Sequence, residues 1–277
     1  MAMGDMLGLH RSRRRFLRGA ATAGAAFLLS SRAIGQAKEA DGVAPSRHRG
    51  RQSGEQSRLI ARPGQPVKAG PGDLQPLGLA TGRDGLLYVP EGYRPDTPAP
   101  LVLMLHGSGG NAQNGIDPFE GLADDAGCIL LVPESRDPRT WDLVLDGFGP
   151  DVTFIDRALA QTFRRYAIDP ARVAIEGFSD GASDALSLGL TNGDLFTHLI
   201  AFLPGFLMAE ERRGRPHIYI AHGIADTTLP IDECSRKIVP MIRDAGYDVR
   251  YHEFDGPHTV PAEIADEALD WFLTSKQ

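Results

Sequence analysis

The sequence is poor in cysteine: Cys128 and Cys234 are the two it has in 277 residues. Two thiols make no disulfide framework for a chain of this length, although a single Cys128–Cys234 bridge stays open. Cys128 sits in an apolar run, where a buried free thiol is the expected state. Nowhere does an apolar run reach the roughly 20 residues a membrane-spanning helix needs, so no stable span is expected. Internal repeats are absent. The eight histidines show no close ligand spacing, so neither a metal nor a cofactor is expected. Basic residues thin out after the first quarter: residues 1–68 hold 13 Lys and Arg against 4 Asp and Glu, and the remainder holds 16 against 32. An acidic body of that kind argues against nucleic acid as a partner. Oligomeric state is not legible.

The basic excess has an organised front. Residues 12–18 read Ser-Arg-Arg-Arg-Phe-Leu-Arg, a small-residue apolar stretch follows to Ser30, and Gly35-Gln36-Ala37 offers small residues at a cleavage spacing. This is the three-part layout of a secretory signal, and the arginine pair before Phe-Leu resembles a twin-arginine export signal. Residues 1–37 are therefore expected to be an address, and the protein to be exported, periplasmic or secreted. A twin-arginine route, as the resemblance implies, carries already folded proteins, which suits the low cysteine count. An uncleaved anchor or a basic amphipathic helix is the plainer alternative. Residues 38–82 are rich in Gly, Pro, Ser, Gln and Arg without helical or strand period, and read as a flexible leader. Its arginines, among them Arg58 and Arg62, read as solvated.

From residue 83 to 277 the pattern is that of one folded domain. Short apolar runs at 86–89, 101–105, 129–132, 173–175, 199–203, 217–221 and 249–254 read as strands. The run 101–105 is apolar throughout, as a strand buried on both faces should be. Between them lie amphipathic segments at 151–166, 182–190, 232–245 and 261–273, the first with Val152, Ile155, Leu159, Phe163 and Tyr166 at helical spacing. Asp232 is the expected cap of the third, and Pro261 suits the first turn of the fourth. Strand alternating with helix predicts an α/β class: a mostly parallel sheet with helices on both faces. Such sheets carry their sites in loops at the carboxyl ends of strands.

Chemistry-bearing residues fall at those ends. Gly177-x-Ser179-x-Gly181 joins a predicted strand to a predicted helix, the context of a nucleophile elbow; the plainer reading is a loop serine. A serine hydroxyl needs a base to take its proton, and the expected chain order is Ser, acid, His. Asp226 follows the strand at 217–221, and His258 follows the strand at 249–254. His222 and His252 lie within or at the end of strands, where structural roles are favoured. Asp255 is too near His258 in sequence to reach the far side of its ring. Leu105-His106-Gly107-Ser108-Gly109-Gly110-Asn111 supplies a glycine-rich loop after an early strand. The N–H groups of Ser108 or Gly109, with that of Asp180, are expected to receive an oxyanion. A phosphate-cradling role for this loop is weak, because no Lys-Ser/Thr follows.

As a set, HGSGG-Asn, GFSDG, HG-x-x-D-x-x-x-P and G-P-H resemble the phospholipase/carboxylesterase family of small α/β-hydrolases. That family includes acyl-protein thioesterases and esterases related to polyhydroxybutyrate depolymerases. The resemblance covers about residues 84–277 and implies an α/β-hydrolase fold with little or no lid. It implies a cofactor-free serine esterase acting on a small-molecule or lipid ester, a lysophospholipid or a polyester oligomer included. It maps Ser179, Asp226 and His258 onto a triad, with Ser108, Gly109 and Asp180 at the oxyanion. The Asp180 position departs from the thioesterases, which have Gln there. The loop around Trp141 and the segment 204–215 with Leu207 are the expected walls of an acyl pocket, with a core role for Trp141 equally open. A non-catalytic binding protein of the same fold is the alternative from another class.

Overall fold

The computed structural model describes residues 57–66, 70–117, 119–209 and 211–275. These belong to one of the two compact units into which the chain divides, Pro45–Gln277. The expected export signal over 1–37 lies outside the described residues.

Eight strands form a single sheet: β1 (Asp73–Pro76), β2 (Gly85–Val89), β3 (Ala99–Leu105), β4 (Ile129–Pro133), β5 (Ile168–Phe178), β6 (His198–Phe202), β7 (His217–Gly223) and β8 (Val249–Phe254). Their order is β1-β2-β4-β3-β5-β6-β7-β8. The pairs β1–β2 and β2–β4 are antiparallel, and every pair from β4–β3 to β7–β8 is parallel. The helices are α1 (Ala112–Ile116), α2 (Glu120–Ala126), α3 (Asp142–Leu145), α4 (Pro150–Arg165), α5 (Asp180–Thr191), α6 (Ser235–Asp244) and α7 (Ala262–Thr274). This is the α/β architecture that the alternation of short apolar runs and amphipathic segments predicts.

The unbroken apolar run of β3 has a simple cause. Leu101, Leu103 and Leu105 enter the core on one face of the sheet, whereas Val102 and Met104 enter the core on the other. The first face is covered by α4, α5 and α6, through residues such as Ile155, Leu159, Leu186 and Ile242. The second is covered by α1, α2 and α7, through Ile116, Ala123, Ala265 and Leu269. A strand buried on both sides has no solvent-facing positions left for polar residues. Truncating one of its leucines to alanine therefore costs about 2–5 kcal/mol.

Connections run in opposite directions from β3: the chain goes to β4 on one side, then returns to β5 on the other. The carboxyl ends of β3 and β5 thus flank a reversal of strand order, where an open α/β sheet leaves a crevice.

Four expectations need correction. The leader assigned to 38–82 is not unstructured over its described part. Leu59 is fully buried, and its N–H donates to Asn192 Oδ1 at 2.9 Å. Arg58 and Arg62 are not simply solvated, because both pair with Asp194. Residues 73–76 form β1, so the folded domain begins before residue 83. The third helix starts at Ser235, not Asp232, whose carboxylate pairs with Arg236 instead of capping. The two cysteines are both free and buried, and burial pushes the Cys128 thiol up to about 12. Among the described residues, no helix is long and apolar enough to cross a membrane.

Candidate active site

One residue, Ser179, makes the reversal from β5 into α5. It does so at φ 57° and ψ −120°, a conformation costing about 1–3 kcal/mol for a residue with a Cβ. The surroundings hold it there. Its N–H donates to the carbonyl of Phe202 at 2.9 Å. The glycines on either side let strand and helix meet. A Cβ on Gly177 would lie 2.1 Å from the carbonyl oxygen of Gly181, and one on Gly181 would lie 2.2 Å from that of Leu105. The Gly-x-Ser-x-Gly spacing is thus a packing requirement.

Asp226 follows β7 and His258 follows β8. The loops return them to the elbow: His258 Nδ1 is 2.6 Å from Asp226 Oδ2, and His258 Nε2 is 2.9 Å from Ser179 Oγ. Burial pushes Asp226 towards its neutral form. Hydrogen bonds from His258 and from the N–H groups of Leu229 and Thr228 outweigh this, leaving the carboxyl below its ordinary value. An ionised Asp226 accepts from Nδ1–H, so Nε2 is the acceptor and the seryl hydroxyl is the donor. The Phe178 ring lies 5.0 Å from the imidazole, centroid to centroid, and packs against it.

Behind the aspartate stands a residue to which sequence reasoning gave a structural part. His222 is fully buried, with Nε2 2.9 Å from the Leu229 carbonyl and 3.3 Å from Asp226 Oδ2. Its Nδ1 accepts from the Ser235 hydroxyl at 2.7 Å. Burial lowers its pKa. The ring is therefore neutral with its proton on Nε2, shared between a carbonyl and the carboxylate. The adjacent His-Gly at the end of β7 and the loop ending in Leu229-Pro230 are the sequence signal for this contact.

The glycine-rich loop after β3 is pinned from below. His106 Nδ1–H donates to the Gly107 carbonyl at 2.8 Å, and Nε2 accepts from Ser135 N–H at 3.2 Å. Arg83 donates to the Gly110 carbonyl at 2.8 Å. The oxyanion expectations separate here. Gly109 N–H is committed to the Arg139 carbonyl at 2.6 Å, so it is not free to receive an oxyanion. The N–H groups of Ser108 and Asp180 have no protein partner among the described residues and remain available. The Asp180 carboxylate accepts from Thr140 Oγ1 at 2.6 Å, tying the 135–141 loop to the elbow.

A cleft of about 460 Å³ opens against the imidazole, walled by Ser108, Phe119, Glu176, Phe178, Phe202 and His258. Neither residue expected to line it does so. Trp141 is fully buried, and its indole N–H donates to the His106 carbonyl at 2.8 Å, so its work is to support the loop. Leu207 is half-buried against the opposite core face. Phe119 and Glu176 were missed. The former lies at the start of a short helix without strong periodicity, and the latter sits inside a strand where a carboxylate reads as an interruption. Among the described residues, no cluster of three or more His, Cys, Asp or Glu could hold a metal ion.

No protein-family model matches the chain. Feruloyl esterase C of Emericella nidulans is 30% identical over 158 residues, which cover 54% of this chain and 57% of that protein. The match thus spans little more than half of the relative. A putative hydrolase of Bacillus subtilis, MhqD, is 24% identical over 197 residues, covering 65% of this chain and 96% of its own. The crystal structure of esterase PE8 superposes with a TM-score of 0.55 at 23% identity, covering 74% of this chain and 98% of that one. A ferulic acid esterase from Anaeromyces mucronatus, solved with ferulic acid, gives 0.56 at 20% identity, covering 70% and 85%. At these identities the structural likeness is one of fold.

Proposed function

We propose that this chain, an α/β-hydrolase in fold with esterase-like relatives, is a serine hydrolase that cleaves carboxylic esters. One observation carries the reading: the unbroken hydrogen-bonded line from buried Asp226 through His258 to Ser179 on a strained elbow. In the proposed reaction His258 Nε2 takes the Ser179 proton while Oγ attacks the ester carbonyl. The free N–H groups of Ser108 and Asp180 receive the oxygen that becomes negative, as preorganised donors that need no reorganisation. His258 then protonates the leaving alkoxide. Water, deprotonated by the same ring, opens the acyl-enzyme. Asp226 holds the ring in the tautomer that leaves Nε2 unprotonated. No step calls for a metal or cofactor. The feruloyl esterase relatives support an ester with an aromatic acyl part; lysophospholipids and hydroxybutyrate oligomers are the other members of a substrate panel.

Replacing Ser179 with alanine should lower hydrolysis of a p-nitrophenyl short-chain ester by about 10⁴-fold or more, with an unchanged far-UV spectrum. It should also abolish labelling by a fluorophosphonate. A protein that is never labelled would be a binding protein of the same fold, and retained turnover would move the nucleophile elsewhere.

Export through the twin-arginine-like segment is part of the same proposal. Arg14→Lys with Arg15→Lys should leave the precursor in the cytoplasm of an expressing cell; normal export of that variant would reject it.

A further inference from the structure

Glu176 is a polar wall residue of the cleft that the chemistry above does not use. It lies on β5, three positions before Ser179, on the same face as Ala174 and Phe178. In register it sits between Met104 of β3 and Ile200 of β6. The residue is 4% exposed, and its carboxyl has no hydrogen-bond or ionic partner among the described residues. Burial holds it well above the ordinary carboxylate range. Burial thus favours the undissociated acid, which has one O–H donor and one carbonyl acceptor unspent. Its oxygens have the cleft, not a protein group, in front of them, and a methionine there would fill the space with no polar atom lacking a protein partner. What remains for it to bond is the occupant of the cleft.

We propose that Glu176 is a specificity-determining residue of the acyl cleft, its unpaired carboxyl receiving a hydroxyl at the far end of an aromatic acyl group. The inference rests on the esterase reading of the site and names its substrate class as hydroxyaryl-acyl esters. Three residues of strand span about 10 Å, room for a ring on a short chain between the elbow and the acid. Phe119, Phe178 and Phe202 supply apolar faces for that ring. A hydroxyl satisfies the acid in both directions, accepting from its O–H and donating to its carbonyl. An unsubstituted ring leaves both atoms buried and unpaired, and that asymmetry is what lets a polar site reject an analogue lacking the group.

The test compares methyl 3-(4-hydroxyphenyl)propanoate with methyl 3-phenylpropanoate. The wild-type protein should favour the hydroxylated ester in kcat/KM by at least about tenfold. E176Q, which keeps a donor and an acceptor, should retain a preference, and E176M should bring the ratio close to one. Thermal melts identify any variant that fails to fold. A wild-type ratio near one, or a ratio unchanged in E176M, overturns the proposal. Failure of the esterase reading is separated by binding. S179A should bind the hydroxylated ester at least about tenfold more tightly by calorimetry, and S179A/E176M should bind both alike. Absent turnover with that binding pattern would reject the hydrolase and keep Glu176. Equal binding of both esters by S179A would reject Glu176 whatever the turnover.

Discussion

At the scale of single residues, the distances within the proposed triad depend on partners one layer further out. Asp226 is fixed by the N–H groups of Thr228 and Leu229 on Oδ1, and by His222 beside Oδ2. Replacing His222 with leucine removes the Nε2–H from the carboxylate and leaves the Ser235 hydroxyl and the Leu229 carbonyl unpaired in the core. Unfolding in urea should show a loss of about 1–3 kcal/mol. In addition, kcat should fall roughly tenfold with KM little changed, the signature of a group that acts only as charge moves onto the His258 ring. A variant with reduced stability but unaltered kcat would make His222 a core residue and nothing more. Trp141 teaches the converse. An aromatic side chain near a site is as readily spent under a loop as on a substrate, and sequence does not say which way an indole N–H points.

At the scale of elements, the elbow depends on the absence of side chains. Gly181→Ala would drive a Cβ against the backbone of β3, which cannot move without shifting the sheet. A loss of roughly 3 kcal/mol is expected, with catalysis impaired in whatever folds. Gly121 provides the contrast. It lies exposed in α2, where a Cβ meets nothing within 4 Å, so Gly121→Ala should stabilise the protein by about 0.5–1 kcal/mol. Equal thermal shifts for the two substitutions would remove steric closeness as the reason for the elbow glycines. The same physics sets how much could be read in advance. The parallel strands and the elbow were legible because burial on both faces and close backbone approach leave compositional marks. β1 was not: Asp73-Leu-Gln-Pro76 has no strand-forming composition, and it becomes a strand only because β2 offers an antiparallel edge. The docked residues 57–62 were hidden for a similar reason. Their hold comes from Asn192, Asp194 and Asp156, some hundred residues or more away in the chain. Gly109 shows the limit within the site itself, since a backbone N–H committed to a distant carbonyl has no sequence signature.

At the scale of the whole molecule, buried titratable groups pull stability in opposite directions with pH. Burial raises Asp151 to about 6. Its folded form therefore holds a proton that the unfolded chain releases near pH 4, and the stability it contributes declines as pH rises from there to about 6. His198 has the reverse sign. Burial, then the neighbouring His217, lowers it to about 4, and the ring packs edge-on to Trp271 and Phe272 with Nε2 unpartnered. Its folded value lies below the unfolded value of about 6.5. The neutral ring's contribution is thus complete above pH 6.5 and lost as pH falls towards 4, at most about 3 kcal/mol in all. The two windows overlap, so the raw stability profile of the native protein assigns neither. His198→Gln isolates one of them, because glutamine keeps polar atoms at the site but never ionises. Urea unfolding at pH 7 and pH 4 should show the difference between variant and native protein moving in favour of the variant by up to about 3 kcal/mol at the lower pH. A difference that stays constant between the two pH values would mean that His198 is protonated as easily in the fold as outside it, and that the aromatic cage around it admits a charge.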